Sequence, residues 1–194
     1  MLNKMAHGLS HYLREAWKKP DSATLRERMN IWRNTDAVVR VENPLRLDRA
    51  HSLGYKAKIG FLVVRVRIER GGRTRPRPRK ARRSKRLTIR KTLSMNYRAV
   101  AEQRAAKKFT NLEVLNSYLI GKDGQHYYFE VILVDPSRPE IINDKDINWI
   151  CKPQNKNRPM RGKTSAGKKS RGLRNHSHEL KVRPSLRSHN RTGN

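Results

Sequence analysis

Four residues, Gly162 to Ser165, read GKTS and match the end of the phosphate-binding loop of nucleotide hydrolases. The complete motif needs another glycine five positions earlier, between a strand and a helix, because its backbone N–H groups surround the phosphates. Asn157 occupies that position, and Pro159 interrupts a polar segment. We therefore expect no nucleotide hydrolysis from this pattern.

The histidines and acids form no other catalytic pattern. His176, His178 and His189 have a spacing that matches no usual zinc site, and Cys151 is distant in sequence. No Gly-x-Ser-x-Gly nucleophile motif occurs. Glu102 lies among arginines in a predicted helix, where an ion pair with a neighbouring turn is the expected role. The sequence predicts a protein that is not an enzyme and that uses no cofactor, no metal and no small-molecule substrate.

The chemistry that the sequence does supply is phosphate binding by basic side chains. Residues 70–86 read RGGRTRPRPRKARRSKR, with ten basic side chains in seventeen positions and no acid. A charge run is often only a solvated surface, but guanidinium groups grip phosphate bidentately and stack on bases. Pro76 and Pro78 keep the segment extended. We expect residues 70–90 to form a basic arm that binds nucleic acid.

Charge is unevenly distributed along the 194 residues, whose formal net charge is +30. Residues 65–91 carry 14 basic side chains and 1 acidic one, 110–150 carry 3 and 7, and 151–194 carry 13 and 1. Such an excess of cations attracts polyanions. The distribution predicts a nearly neutral core with two basic extensions.

The second extension is the C-terminal segment. Only six of the forty-two residues from Pro153 onward are apolar, so this segment should gain order from a partner. Its interspersed Gly and Ser would let backbone N–H groups approach phosphates. We predict a globular α+β RNA-binding domain over residues 1–152, interrupted by the arm at 70–90, and an extended basic tail over 153–194.

The predicted domain begins with helices. Met5, Leu9, Leu13 and Trp17 recur every four residues as on one helix face, and Pro20 ends the pattern. Asp21 or Ser22 can cap a second helix. We expect a third helix from Pro44, with Asn43 as its N-cap and Gly54 just past its end, a fourth from Ser94 to Phe109, and a short helical piece near 144–150.

Strands follow from alternating patterns. In IGFLVVRVRIER, Leu62, Val64, Val66 and Ile68 share the inward face, while Arg65 and Arg67 face outward. LEVLNSYLI and HYYFEVILV form a hairpin around Asp123-Gly124. The fold class is therefore α+β: a small, mostly antiparallel sheet covered by helices, with a long basic arm and an extended C-terminal tail.

RNA is favoured over DNA as the partner. The sequence contains neither a zinc-finger nor a basic-zipper pattern, whereas long arms suit folded RNA, which is recognised largely by shape. A DNA-compacting architectural chromatin protein is the alternative. The lone Cys151 agrees with a reducing compartment, and no apolar run approaches membrane-span length. We expect a soluble intracellular protein with no membrane partner.

Three blocks of the sequence resemble a known family. LGYKAKIGFLVVRVRIERGGRTRP (53–76), LNSYLIGKDGQHYYFEVILVDP (115–136) and WICKPQNKNRPMRGKTSAGKKSRGL (149–173) closely resemble the fifteenth large-subunit ribosomal protein of archaea and eukaryotes. This family is unrelated to the bacterial protein of the same number. The resemblance implies a cytoplasmic, non-catalytic constituent of the large ribosomal subunit that contacts large-subunit ribosomal RNA and other large-subunit ribosomal proteins, and that is not a homo-oligomer.

The resemblance also implies RNA contacts at particular positions. They are Lys56, Lys58, Arg65, Arg67, Arg70, Arg73, Arg75, Arg161, Lys163, Lys168, Lys169 and Arg171. Charge alone adds the rest of the arm, namely Arg77, Arg79, Lys80, Arg82, Arg83, Lys85 and Arg86. Tyr55, which is followed closely by Lys56 and Lys58, is predicted either to stack on a base or to pack within the domain.

Overall fold

The computed structural model describes residues 7–74, 90–91 and 95–174. Its helices are α1 (Leu9–Lys18), α2 (Ser22–Asn34), α3 (Leu47–Ser52), α4 (Tyr97–Lys108), α5 (Pro139–Ile142) and α6 (Ser165–Ser170). Its strands are β1 (Val38–Val41), β2 (Phe61–Glu69), β3 (Arg73–Thr74), β4 (Arg90–Lys91), β5 (Glu113–Lys122) and β6 (His126–Val134). Two short 3-10 helices span Asn148–Cys151 and Pro153–Asn155. An antiparallel four-stranded sheet in the order β1-β2-β6-β5 forms the centre, and the predicted α+β class is confirmed.

The predicted hairpin is formed by β5 and β6. Asp123 closes its turn, because one carboxylate oxygen accepts the backbone N–H groups of Gln125 at 2.8 Å and His126 at 2.5 Å. The other oxygen accepts the hydroxyl of Tyr128 at 3.0 Å. Burial, together with this bond, raises the pKa of Tyr128 to about 12. The turn is thus locked to the strand that follows it.

Both faces of the sheet are buried. On one face, Val64 and Val66 pack against Ala101 and Ala105 of α4, as the alternating pattern predicts. On the other face, Trp32 of α2 packs against Tyr128, with the ring centroids 5.2 Å apart. α3, α5 and the first 3-10 helix complete this second layer. A sheet covered on both sides leaves no fully solvated face for the outward-pointing residues of β2.

Several boundaries differ from the sequence prediction. β1 was not predicted, although it pairs with β2 along residues 38–41. α3 begins at Leu47 rather than at Pro44, because the backbone N–H of Leu45 is bound at 3.1 Å by both carboxylate oxygens of Glu130. α4 begins at Tyr97, since Asn96 rather than Ser94 caps it by accepting the backbone N–H of Ala99 at 2.7 Å.

The segment 153–174 packs against the domain, in contrast to the extended conformation expected for it. Thr164 is fully buried and Ala166 is nearly so. Gly167 lies so close to Gly162 that a Cβ on Gly167 would stand 2.6 Å from the Cα of Gly162. Small residues thus let a segment with few apolar side chains pack closely. Residues 175–194 lie outside the described part, and a domain boundary at 152 stays a prediction.

The described residues contain neither a helix that could span a membrane nor a cluster of metal ligands. No helix among them is long and apolar enough to span a membrane. Nor do they bring together three or more His, Cys, Asp or Glu side chains in a group that could hold a metal ion.

Candidate nucleic-acid interface

The structure shows the base of the basic arm. β3 and β4, its two ends, pair antiparallel, with Arg73 opposite Lys91 and Thr74 opposite Arg90. The arm residues predicted to bind RNA beyond this base lie outside the described residues: Arg75, Arg77, Arg79, Lys80, Arg82, Arg83, Lys85 and Arg86.

Aromatic side chains fix the point where the arm leaves the domain. The hydroxyl of Tyr97 accepts the backbone N–H of Gly71 at 2.7 Å and donates to its carbonyl at 3.2 Å. Tyr97 also stacks on Tyr127, with centroids 4.9 Å apart and an interplanar angle of 24°. The guanidinium of Arg70 lies 5.2 Å from the Tyr127 ring centroid and donates to the Asp123 carbonyl at 2.8 Å. The arm therefore starts beside the N-terminal end of α4.

The same end of α4 holds α6. The backbone N–H of Asn96 donates to the Ser170 hydroxyl at 3.0 Å, and the side-chain amide of Asn96 donates to the Ala166 carbonyl at 3.0 Å. Lys168 and Lys169 are exposed in the last turn of α6. Two predicted RNA-binding lysines are thus carried by a helix with a fixed position.

Glu102 anchors the segment that precedes α6. Its buried carboxylate accepts the hydroxyl of Thr164 at 2.5 Å and that of Ser117 of β5. The predicted intrahelical ion pair exists with Arg98, but the Nε to Oε1 distance is 3.9 Å and the two hydroxyls are closer. Burial raises the pKa of Glu102, while the hydroxyl bonds oppose that rise. Glu102 therefore serves structure, joining α4 to β5 and to the C-terminal segment.

Arg161, Lys163 and Arg171 are near α6 and also bind backbone carbonyls. Arg161 donates to Gln154 at 2.5 Å and to Lys156 at 2.6 Å, although its side chain is exposed. Lys163 reaches the carbonyl of Gln154 at 3.4 Å, and Arg171 that of Gly162 at 3.3 Å. These cations shape the loop while remaining close to the surface.

Lys56 and Lys58 lie elsewhere, near α5, and have acidic partners. Their ammonium groups are 2.9 Å and 2.6 Å from Oδ2 of Asp144. Lys56 also lies 3.0 Å from Asp146. The hydrogen bonds from Lys58 and Lys56 hold the pKa of Asp144 well below its usual range, and the bond to Asp144 raises the pKa of Lys56. An RNA contact by either lysine stays a prediction and would have to compete with these ion pairs.

Arg65 and Arg67 lie on the opposite face of β2 from Val64, as predicted, but α2 covers that face. Arg65 lies 5.2 Å from the Trp32 ring centroid and donates to the Thr35 hydroxyl at 3.1 Å. Arg67 donates to the carbonyls of Trp32 and Arg33 at the end of α2. Both side chains are therefore half-buried on the outward face of β2, and an RNA contact by either of them stays a prediction.

Tyr55 packs within the domain. It meets Phe61 edge to face at 5.8 Å, stacks on His51 at 6.0 Å and contacts the core around Trp32 and Ile141. Of the two roles predicted for Tyr55, the structure supports packing.

Sequence reasoning missed a groove beside the arm base. Its volume is about 390 Å³, and it lies between the start of α4, the hairpin and α6. Tyr97, Tyr127 and Leu119 supply aromatic and apolar walls, and Lys169 and Arg174 supply cations. Arg174 could have been found from charge, because it follows the basic run KKSRG; the aromatic residues could not, because they come from separate elements.

Two further arginines, both half-buried, were missed because their partners lie in other elements. Arg98 donates to the Ser117 hydroxyl at 2.8 Å and to the Asn116 side-chain carbonyl at 2.5 Å. Arg158 lies 4.6 Å from the Trp149 ring centroid and donates to the Val114 carbonyl at 2.9 Å. Burial lowers the pKa of both guanidinium groups, yet arginine stays protonated in proteins.

The fold and the charge distribution define a class of protein: a small basic α+β domain whose cations are concentrated in two stretches of the sequence, 65–91 and 151–194. The sequence model of the family described as Ribosomal L15 matches residues 8–189. The large ribosomal subunit protein eL15 of Methanospirillum hungatei is 49% identical over 190 residues, which cover 95% of this chain and 97% of that protein. The chain belongs to this family of ribosomal proteins, and the resemblance noted in the sequence is confirmed. It is a structural protein of the cytoplasmic ribosome.

Proposed function

We propose that this chain is a structural constituent of the large ribosomal subunit that binds large-subunit ribosomal RNA and clamps separate segments of it. The relative from Methanospirillum hungatei is named as a large-subunit protein. One observation supports the proposal that separate RNA segments are clamped: the adjacent residues Asn96 and Tyr97 bind α6 and the arm base, respectively. The arm base and α6, which lies within the C-terminal extension, are therefore both held at one end of α4.

The mechanism is charge neutralisation from fixed starting points. Residues 65–91 and 151–194 together carry 27 of the 46 basic side chains, 14 and 13 respectively. Each phosphate neutralised releases counterions, which makes binding strongly salt-dependent. If about 6 to 10 phosphates are neutralised, affinity for the RNA should fall by about 10³ to 10⁵ between 50 and 200 mM salt. The folded domain sets the distance between the two RNA segments that the extensions bind.

Other large-subunit ribosomal proteins are the expected neighbours, and we propose no homo-oligomer. Neighbours would meet surfaces that the extensions do not use. α1 presents such a surface, because Leu9 and Tyr12 are largely exposed on it.

Sedimentation of the full-length chain tests this function. We expect it to co-migrate with large subunits at moderate salt, and the association to be destroyed by RNase and unaffected by DNase. DNase sensitivity would instead support the DNA-compacting alternative. Absence of the chain from the particle would refute the proposal.

A matched pair of variants tests the arm. Replacing Arg75, Arg77 and Arg79 by Gln removes three charges from the arm. Replacing Arg26, Arg28 and Lys107, which are exposed on α2 and α4, by Gln removes the same number elsewhere. We expect only the first variant to be depleted from large subunits. Equal depletion of both would show that net charge, not the arm, drives incorporation.

A further inference from the structure

The groove beside the arm base combines features that suit one nucleotide. Tyr97, Tyr127 and Phe129 form a ladder of stacked rings along one side, with centroid separations of 4.9 and 6.2 Å. Leu119, which is 40% exposed, borders the same groove from β5. An exposed apolar side chain beside aromatic rings leaves apolar surface that a planar base could cover.

The cations of the groove lie on its other side. Lys169 of α6 and Arg174 line it, and within the described residues the ammonium group of Lys169 has neither an ion-pair nor a hydrogen-bond partner. Arg98 also borders the groove, with 27% of its side chain exposed. No Asp or Glu is among the described residues that line it. The charge is therefore complementary to a phosphate.

The position of the groove favours RNA over a protein side chain as the occupant. Tyr97 binds Gly71 at the start of the arm, and Lys169 belongs to α6, which lies within the C-terminal extension. RNA that contacts both the arm base and α6 would lie at this groove, whereas a protein segment would have to approach between two basic elements. The volume of about 390 Å³ accommodates a single base with its sugar.

We infer that this groove binds one unpaired nucleotide of the ribosomal RNA, with its base against Leu119 and the tyrosine pair and its phosphate at Lys169 and Arg174. The inference rests on the proposed function and adds a specific subsite to it. A base flipped out of its helix and stacked on side chains supplies affinity that does not depend on charge. This subsite would fix the register of the RNA between the two extensions.

The apolar half of the subsite is tested with uncharged substitutions in the full-length chain. Leu119→Ser should weaken binding to deproteinised large-subunit ribosomal RNA about five- to tenfold, because apolar surface is no longer covered. The slope of log affinity against log salt should not change, since no ionic contact is lost. Ile142→Ser is the control, because Ile142 is 49% exposed on α5, across the sheet from the groove. We expect it to bind like the unmodified chain.

The phosphate half is tested by the salt slope itself. Lys169→Ala should reduce that slope by about 0.7 to 0.9. Lys107→Ala removes another exposed lysine, at the far end of α4, and should leave the slope unchanged. Ultraviolet crosslinking of assembled subunits should join an unpaired nucleotide to the peptide containing Tyr97 or Tyr127.

The outcomes separate the two proposals. If the unmodified chain fails to bind the RNA, the proposed function is wrong. If it binds, but Leu119→Ser and Ile142→Ser bind equally well, the nucleotide subsite alone is refuted. A crosslink from the groove to another protein, or to a base-paired nucleotide, would also overturn it.

Discussion

Thr164→Val tests whether a buried hydroxyl network holds the C-terminal segment in place. Valine keeps the shape of threonine but removes the hydroxyl. That hydroxyl donates to Glu102 at 2.5 Å and accepts the backbone N–H of Gly167 at 3.1 Å, which caps α6. Thr164 and Glu102 are both fully buried, so water does not replace the missing group.

The magnitude follows from these two bonds. A hydrogen bond to a charged group contributes about 1.5 to 3 kcal/mol, and loss of an N-cap costs about 1 kcal/mol. We expect the packing of α6 to lose about 2 to 4 kcal/mol, with Ser117 left as the remaining hydroxyl donor to Glu102. The loss is local, because the sheet and its two cores do not depend on Thr164.

Native-state amide exchange of residues 165–170 is the assay. A loss of 2 to 4 kcal/mol corresponds to exchange that is faster by a factor of about 30 to 1,000 if α6 opens locally. Thr24→Val is the matched control, since its hydroxyl also donates to a carboxylate, that of Asp21 at 2.5 Å, but at an exposed position. We expect Thr24→Val to lower the free energy of unfolding by less than about 1 kcal/mol. If exchange in α6 differs by less than twofold between Thr164→Val and the unmodified chain, the network does not hold the segment.

Three further predictions concern packing and pH. Gly167→Ala should destabilise α6, because the new Cβ would stand 2.6 Å from the backbone of Gly162. Gly124→Ala is the control, since a Cβ at that position has no atom within 4 Å. The urea midpoints of the two variants are compared, and equal midpoints would contradict the close contact. The lysine partners of Asp144 lower its pKa, so the stability that Asp144 contributes is present above pH 3.8 and is lost as the pH falls below that value. Asp144→Asn should therefore lose less stability than the unmodified chain when the protein is unfolded with acid. An unchanged acid transition would argue against the ion pairs. Burial raises the pKa of Glu130, so its effect on stability has the opposite sign: stability declines as the pH rises from 4.5 through the pKa of the folded state. Glu130→Gln should reduce that decline. The measurement is the denaturant midpoint of both proteins at successive pH values.

The sequence predicted the hairpin and α4 well because their signals are local. Alternating side chains and the Asp123-Gly124 pair define the turn without reference to other elements, and the structure pairs Glu113 with Val134 and Lys122 with Tyr127 as expected of one hairpin. The same local reasoning failed for 153–174. Its composition is polar, and its packing depends on Gly162, Gly167 and Thr164 meeting each other and Glu102, which composition does not encode.

The basic residues of the candidate site were predicted from the sequence, but its aromatic residues and the ion-pair partners of its lysines were not, because only the former form local runs. Basic residues in runs are visible in the sequence, and Lys168 and Lys169 are indeed exposed. The partners of Lys56 and Lys58 lie 86 to 90 residues away, so their pairing with Asp144 and Asp146 required the fold. The stack of Tyr97 on Tyr127 likewise joins α4 to β6. A site made by separate elements becomes visible only when the sheet register brings those elements together.

The placement of the acids explains how a domain with an acidic central segment can still bind RNA. Glu113 accepts the backbone N–H of Asn157 at 3.0 Å, and Glu130 accepts that of Leu45. Asp123 closes the hairpin turn, and Asp144 pairs with two lysines. These carboxylates are engaged in holding loops and are largely withdrawn from solvent, so they repel phosphate less than their number suggests. Replacing such an acid by a neutral residue would therefore loosen the loop that it holds, and RNA affinity would rise by less than the gain in net charge predicts. Replacing an acid on the exposed surface, by contrast, would remove its repulsion of phosphate without loosening a loop.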